Sequence, residues 1–279
     1  MTKAVNPWCF VLHVHPETDL DEAWQILQEK GLTPLYMEEG HEALAKIYIE
    51  ADERLTTENL LDSFPFIDYV DHEELGSIDW QSQWKNHGLN YYEGYVHIDV
   101  PESPSNQWKQ LKLLPGAGFG DLSHPTTRLL LMMIKGQVMN KTVVDVGCGS
   151  GVLAIYAIAS GANDAYAIDI DENALKHSRE NVALNVMTEK FTFNQPYDFN
   201  PHLEKENEIV ILMNMVMSEQ KEAWGSLKSL HSQKAICFTS GILIEQKDEY
   251  LDLVKGWGWT LLEEKQEEGW LGLKFKTHF

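Results

Sequence analysis

The chain has 279 residues, which favours one full α/β domain with a smaller partner over a single compact domain. Asp and Glu outnumber Lys and Arg by 43 to 22, and the net charge of −21 argues against direct binding to nucleic acid, which needs a basic surface. A basic protein is the easier partner, although acidity also serves solubility alone. No apolar run approaches the roughly eighteen residues that span a bilayer, and no targeting segment opens the chain, so we expect a cytoplasmic protein without a membrane role.

The amino-terminal stretch predicts a small sheet covered by helices. Its strand candidates are residues 8–14, 33–38, 43–49 and 66–70. A helix capped by Asp19 follows the first strand, and a second helix opened by Thr57 follows the third and breaks at Pro65. The order βαββαβ is the ferredoxin-like arrangement. We assign residues 1–75 to a ferredoxin-like α+β domain for substrate recognition.

A linker at residues 76–100 and a catalytic domain at 101–279 follow. Residues 91–99, turning at Glu93-Gly94, and 110–114 already have strand character. Later strand candidates alternate with helical stretches, which predicts a mostly parallel, doubly wound, Rossmann-like α/β sheet; they are residues 142–146, 165–169, 209–213 and 235–240. Two last segments, 259–264 and 270–276, predict an antiparallel hairpin that closes the sheet. We assign a seven-stranded sheet, of which these candidates account for six strands.

A glycine-rich motif follows the strand at 142–146. Asp145 lies near the end of this strand, and Gly147, Gly149 and Gly151 lead into an apolar helix. Glycines permit positive φ and remove β-carbons that would collide with a nucleoside, while free helix amides suit an anionic group. Loops that bind dinucleotides have the spacing G-x-G-x-x-G, whereas the spacing here is D-x-G-x-G-x-G. This spacing favours S-adenosylmethionine over NAD as the cofactor, so a dehydrogenase is a distant alternative. A tight turn that binds no ligand is the purely structural interpretation.

Two aspartates close the next strand. Asp169 is placed to accept hydrogen bonds from both ribose hydroxyls of the cofactor. Asp171 is the weaker ligand candidate because a helix starts directly after it and aspartate is a favoured helix cap. The three cysteines lack the paired spacing of metal ligands, and we expect no metal site.

A segment ahead of the glycine loop makes the interpretation more specific. Phe119-Gly-Asp-Leu-Ser-His-Pro-Thr-Thr127 resembles the F-G-T-G-x-H-x-T-T segment of the ribosomal protein L-eleven methyltransferases (PrmA-like). The likeness continues through the glycine loop, Ile-Asp-Ile-Asp171, Asn214-Met-Val216, Ser240-Gly-Ile-Leu243 and Gln246. It covers the chain well from Trp80 to the end.

The resemblance implies a class I protein N-methyltransferase that uses S-adenosylmethionine. Lysine or terminal amines of a basic ribosomal protein, ribosomal protein L-eleven, would then be the acceptors, and the amino-terminal domain would recognise that protein. The resemblance also implies that Phe119 and His124 line the loop around the methionine end of the cofactor, and that the cofactor is contacted by Thr127, Gly147, Asp169 and Asn214. The full set of expected cofactor-binding residues is Phe119, Gly120, Thr127, Asp145, Gly147, Gly149, Gly151, Asp169 and Asn214.

Methyl transfer from a sulfonium depends mainly on alignment of nucleophile, methyl carbon and sulfur. We therefore assign the side-chain carbonyl of Asn214 to orienting the acceptor amine. His124 precedes Pro125 in a loop and is expected to support loop shape rather than act as a general base.

Two positions depart from the family pattern. Asp121-Leu122 replaces Thr-Gly beside the expected site, which exchanges a hydroxyl and a flexible glycine for a carboxylate and a bulky apolar group. This change favours the alternatives of a methyltransferase for another protein or a small molecule, or of a non-catalytic cofactor-binding docking protein. Met215-Val216 replaces Ile-Leu, a volume-tolerant exchange that we expect to be nearly silent.

Overall fold

The computed structural model describes residues 8–32, 34–38, 44–50, 55–74, 90–116, 119–120, 122–199 and 208–277. The chain divides into two compact units between residues 79 and 80, and each unit has its own hydrophobic core. In these described ranges, no helix has the length and apolar character needed to cross a membrane.

The first unit has the predicted βαββαβ order. Its elements are β1 (Trp8–Val14), α1 (Leu20–Glu29), β2 (Pro34–Glu38), β3 (Ala45–Glu50), α2 (Thr57–Ser63) and β4 (Ile67–Glu74). Asp19 caps α1 by accepting the amides of Asp21 and Glu22, and Thr56 caps α2, one residue before the predicted opening. The strands form an antiparallel sheet in the order β2-β3-β1-β4, which confirms the ferredoxin-like prediction.

The second unit contains a small antiparallel sheet and a large mixed sheet. The small sheet consists of β5 (Tyr91–Tyr92), β6 (Tyr95–Asp99) and β7 (Gln110–Leu113). The strands of the large sheet are β8 (Thr142–Val146), β9 (Asp164–Ile168), β10 (Phe191–Asn194), β11 (Ile209–Asn214), β12 (Ala235–Leu243), β13 (Thr260–Glu267) and β14 (Trp270–Lys276). The helices are α3 (Pro125–Ile134), α4 (Val152–Ala159), α5 (Glu172–Leu184), α6 (Met217–Ser226) and α7 (Lys247–Gly256).

The large sheet has the order β10-β9-β8-β11-β12-β14-β13, and all its strands run in one direction except β14, which is antiparallel to its neighbours β12 and β13. This confirms the seven-stranded, doubly wound prediction. Strand β11 is buried on both faces, with Val210 and Leu212 in one core and Ile211 in the other, so its sequence is continuously apolar. The strand order reverses between β8 and β11, and ligands of such sheets bind at the carboxyl ends of the strands there.

Two details of this sheet differ from the sequence interpretation. Strand β10 was not predicted, because four residues at a sheet edge carry too short a pattern. Strand β13 continues to Glu267, so the hairpin turn is only Glu268-Gly269, with φ of 48° and 85°. The polar residues before the turn stay paired because β13 is an edge strand, where polar side chains are normal.

Residues 90–100, the second part of the expected linker, are folded. Val96, Ile98 and Val100 are buried in the same core as helix α4, because the alternating residues of β6 place one face against it. The prediction that residues 76–100 form a linker is therefore wrong for residues 90–100. Residues 76–89 lie outside the described residues, and the remaining domain boundaries stay predictions.

Candidate active site

The glycine motif forms a tight turn between β8 and α4. Gly147, Gly149 and Gly151 all have positive φ, between 52° and 81°. At Gly149 a β-carbon would also overlap the backbone oxygen of Phe119. The amide of Ser150 donates to that same oxygen at 2.8 Å, so the glycine loop and the Phe119 segment are in direct contact.

Asp169 lies beside this loop, directly after β9. Its Oδ2 accepts the amide of Gly149 and its Oδ1 accepts the amide of Asp171, both at 3.0 Å. Burial raises the pKa of the Asp169 carboxyl, and these amides oppose the rise because they stabilise the charged form. Each oxygen still has a lone pair for one more donor. Asp171 caps α5 through the amide of Asn173 at 2.8 Å, as the sequence indicates.

Asp145 is buried beneath the loop. Its Oδ2 accepts the amide of Ala154 in the first turn of α4 at 3.2 Å, so the carboxyl holds helix and strand together. Burial raises the pKa of Asp145 from 3.8 to about 8; the Ala154 amide lowers it, and the charge of Asp169 raises it further.

This pKa predicts a pH dependence of stability. The folded protein keeps Asp145 protonated between its ordinary pKa of 3.8 and about 8, while the unfolded chain releases the proton. The contribution of Asp145 to the free energy of unfolding is therefore fully present below pH 3.8 and is lost as the pH rises to about 8. We expect Asp145→Asn, a neutral isostere, to remove this loss. Urea unfolding of both proteins between about pH 5 and about pH 8 measures it, and parallel curves would contradict the prediction.

The segment before α3 is held by specific contacts. The Ser150 hydroxyl donates to the carbonyl of Gly120 at 2.6 Å. His124 is the N-cap of α3, where its Nδ1 accepts the amide of Thr126. The His124 ring centroid lies 5.2 Å from that of Phe119 and 5.2 Å from that of Trp270. Phe119 itself is half exposed, and residue 121 lies outside the described residues.

Thr127 and Asn214 come together from distant parts of the chain. The Nδ2 of Asn214, the last residue of β11, donates to the Oγ1 of Thr127, a fully buried residue, at 3.4 Å. The Oδ1 of Asn214 is buried and has no hydrogen-bond partner among the described residues. A buried carbonyl oxygen without a partner is costly, which suits a donor supplied by a ligand.

Helix α5 contributes two residues that the sequence interpretation missed. Asn181, which is fully buried, donates to the carbonyl of Ser150 at 2.9 Å and accepts the amide of Leu114 at 2.7 Å. His177, one turn earlier, bonds the carbonyl of Leu114 at 2.8 Å. They join the glycine loop to the segment leading towards Phe119. Only their spacing of four residues on one helix face hints at a shared role.

Known proteins match this chain over most of its length. The sequence model of the family described as ribosomal protein L11 methyltransferase (PrmA) matches residues 12–278. The chain belongs to this family. It is 32% identical over 209 residues to the ribosomal protein L11 methyltransferase of Prochlorococcus marinus, covering 71% of this chain and 68% of that protein. It is 30% identical over 217 residues to that of Acinetobacter baylyi, covering 74% and 70%.

A solved structure supports the same relationship. The crystal structure of ribosomal protein L11 methylase from Lactobacillus delbrueckii subsp. bulgaricus is similar with a TM-score of 0.51 and 26% identity, covering 60% of this chain and 84% of that one. The chain is thus an S-adenosylmethionine-dependent methyltransferase.

The residues of this methyltransferase fit S-adenosylmethionine. The free lone pairs of Asp169 suit the two ribose hydroxyls of the cofactor. The carbonyl of Asn214, which has no partner among the described residues, lies at the end of β11, two strands away from β9, the strand that Asp169 follows. The glycine loop brings several predicted residues together. Gly149 contacts both Asp169 and Phe119, and Gly147 packs against Met215, the residue after Asn214. In the described part of the chain, no group of three His, Cys, Asp or Glu residues could hold a metal ion.

Proposed function

We propose that this methyltransferase methylates lysine or terminal amino groups of ribosomal protein L11. The names of the relatives support this substrate. The observation that carries the proposal is the buried Oδ1 of Asn214, which lacks a hydrogen-bond partner among the described residues. An acceptor amine has an N–H that can satisfy this oxygen. As the resemblance implies, we place Phe119 at the methionine end of the cofactor and Thr127, Gly147 and Asp169 in contact with it. We also place Gly120, Asp145, Gly149 and Gly151 at the cofactor site.

The arrangement performs the reaction chiefly by positioning. Bound S-adenosylmethionine would supply a methyl group on a cationic sulfur, whose C–S bond would break as the N–C bond forms, so that sulfur leaves as a neutral thioether. The acceptor nitrogen must be neutral to attack, and a neighbouring positive charge and an apolar cleft both lower the pKa of an ammonium. Asn214 then accepts one N–H and directs the nitrogen lone pair towards the methyl carbon. His124 supports the loop, because its Nδ1 is engaged by Thr126.

The charge of the chain suits a basic substrate. The net charge of −21 attracts a basic protein and raises the rate of encounter, while it opposes direct binding to nucleic acid. We assign recognition of the substrate to the ferredoxin-like unit and place the reaction in the cytoplasm.

The test is transfer of a labelled methyl group from S-adenosylmethionine to purified ribosomal protein L11, followed by intact-mass analysis. We expect a mass gain in whole methyl units that Asp169→Ala abolishes. Blocking the substrate amines by acetylation beforehand should also abolish it, because an acetylated nitrogen has no basic lone pair. Cofactor binding without a mass gain would refute this substrate.

A second candidate is methylation of another protein or a small molecule, which the change to Asp121-Leu122 favours. The structure accommodates part of this change, because Leu122 packs against the core of the second unit. Transfer to other proteins of a ribosome preparation, in the absence of transfer to ribosomal protein L11, would support this candidate.

A further inference from the structure

Arg128, in the first turn of α3, joins two parts of the second unit that are far apart in sequence. Its guanidinium donates to the carbonyls of Leu122 and Ser123 at 3.0 and 2.6 Å. It also donates to Glu267 at 2.6 Å and to Glu268 at 2.9 Å. One side chain therefore binds both residues 122–123 and the turn of the β13–β14 hairpin. The described residues 119–120 and 122–124 are here called the Phe119 loop.

An aromatic contact joins the same two parts independently. The His124 ring packs between the rings of Phe119 and Trp270, and Trp270 is the first residue of β14. The hairpin turn is held in turn by the amide of Ile244, which donates to the carbonyl of Gly269 at 3.0 Å. The Phe119 loop is thus fastened to a hairpin that is itself fixed to the end of β12.

We propose that Arg128 is a positioning residue for methyl transfer, which fixes the Phe119 loop against the β13–β14 hairpin. The inference rests on the proposed function, in which Phe119 lines the methionine end of the cofactor. Phe119 is 52% exposed, so the packing of its side chain holds it weakly. Ser150 binds the backbone carbonyls of Phe119 and Gly120, and the contacts of Arg128 and His124 hold the rest of the loop. Glycine at position 120, with φ of 107°, leaves the backbone beside it free to move once the contacts are lost.

Arginine suits this role better than any other side chain. Its planar guanidinium has five N–H donors in a fixed geometry, and here they reach two carbonyls and two carboxylates. Lysine keeps the charge but cannot reproduce the arrangement. The Arg128 side chain is 22% exposed and that of Glu267 is 29% exposed, so salt screens this pair less than a surface pair.

The test compares Arg128→Gln and Arg128→Lys with Arg179→Gln, which breaks an ion pair to Glu172 at 2.8 Å elsewhere in the same unit. We expect Arg128→Gln to lower kcat at least ~10-fold and to change the acceptor KM less than ~3-fold, because misplacement near the chemistry costs rate rather than binding. Arg128→Lys should recover part of kcat. Arg179→Gln should leave kcat within about twofold.

Hydrogen exchange provides a readout that needs no acceptor. In Arg128→Gln, exchange should accelerate in peptides covering residues 119–124 and 266–270, and should stay unchanged over strand β8, residues 142–146. Glu267→Gln should also accelerate exchange in these peptides. The double variant should exchange little faster than Arg128→Gln alone, because both substitutions remove the same ion pair between Arg128 and Glu267.

The outcomes separate this inference from the proposed substrate. Unchanged exchange in the Phe119 loop would overturn it, as would a loss of kcat matched by Arg179→Gln. If the wild-type protein does not methylate ribosomal protein L11, the substrate assignment fails, and the exchange data still decide whether Arg128 holds the loop.

Discussion

Asp169→Ala is expected to weaken S-adenosylmethionine binding by about 100-fold or more. Two hydrogen bonds from ribose hydroxyls to a charged acceptor would be lost, and such bonds contribute roughly 1.5–3 kcal/mol each. The substitution also releases the amides of Gly149 and Asp171, so the glycine loop loses a support at the same time. Calorimetric titration of the purified variant with the cofactor measures the change in Kd.

Asp171→Ala is the matched control. Asp171 lies two residues away, but its carboxylate caps α5 through Asn173. Removing it should cost about 1 kcal/mol of stability and should leave cofactor affinity within about threefold. If both variants lost affinity equally, the distinction between a ligand-binding and a capping aspartate would be wrong.

Asn214→Ala is expected to lower kcat by about 100-fold with a smaller change in the Kd of the cofactor. The variant removes the oxygen that we assign to the acceptor amine, and a nucleophile that is misplaced by ~1 Å can lose that much rate. Single-turnover transfer at saturating cofactor separates the chemical step from binding.

Thr127→Val serves as its control. Valine has nearly the shape of threonine but cannot accept the hydrogen bond from Nδ2 of Asn214. Because that bond is long, at 3.4 Å, we expect kcat to fall by less than about tenfold. A loss in Thr127→Val as large as in Asn214→Ala would mean that Asn214 acts through Thr127 and not through its own free oxygen.

Local patterns alone predicted most of the fold and the class of the cofactor. The alternating and continuous apolar runs predicted the four-stranded sheet and six strands of the seven-stranded sheet, because strand burial imposes a period on the sequence. The spacing of Gly147, Gly149 and Gly151 indicated the cofactor class, since positive φ at those positions excludes most other residues. The roles of Asp19 and Asp171 as helix caps were also predictable, because capping depends only on the next few residues.

Only the tertiary structure decided the contacts that join distant segments. Three sets of contacts join residues that lie at least 31 positions apart in the sequence. They are the bond between Thr127 and Asn214, the bridge of Asn181 from Ser150 to Leu114, and the linkage of Arg128 to the β13–β14 hairpin. A single polar residue on a helix has no periodic signature, so its partner is unknown until the sheet order places both chains together. The expected linker was wrong at residues 90–100 for the same reason, because the burial of β6 depends on a core built by later elements.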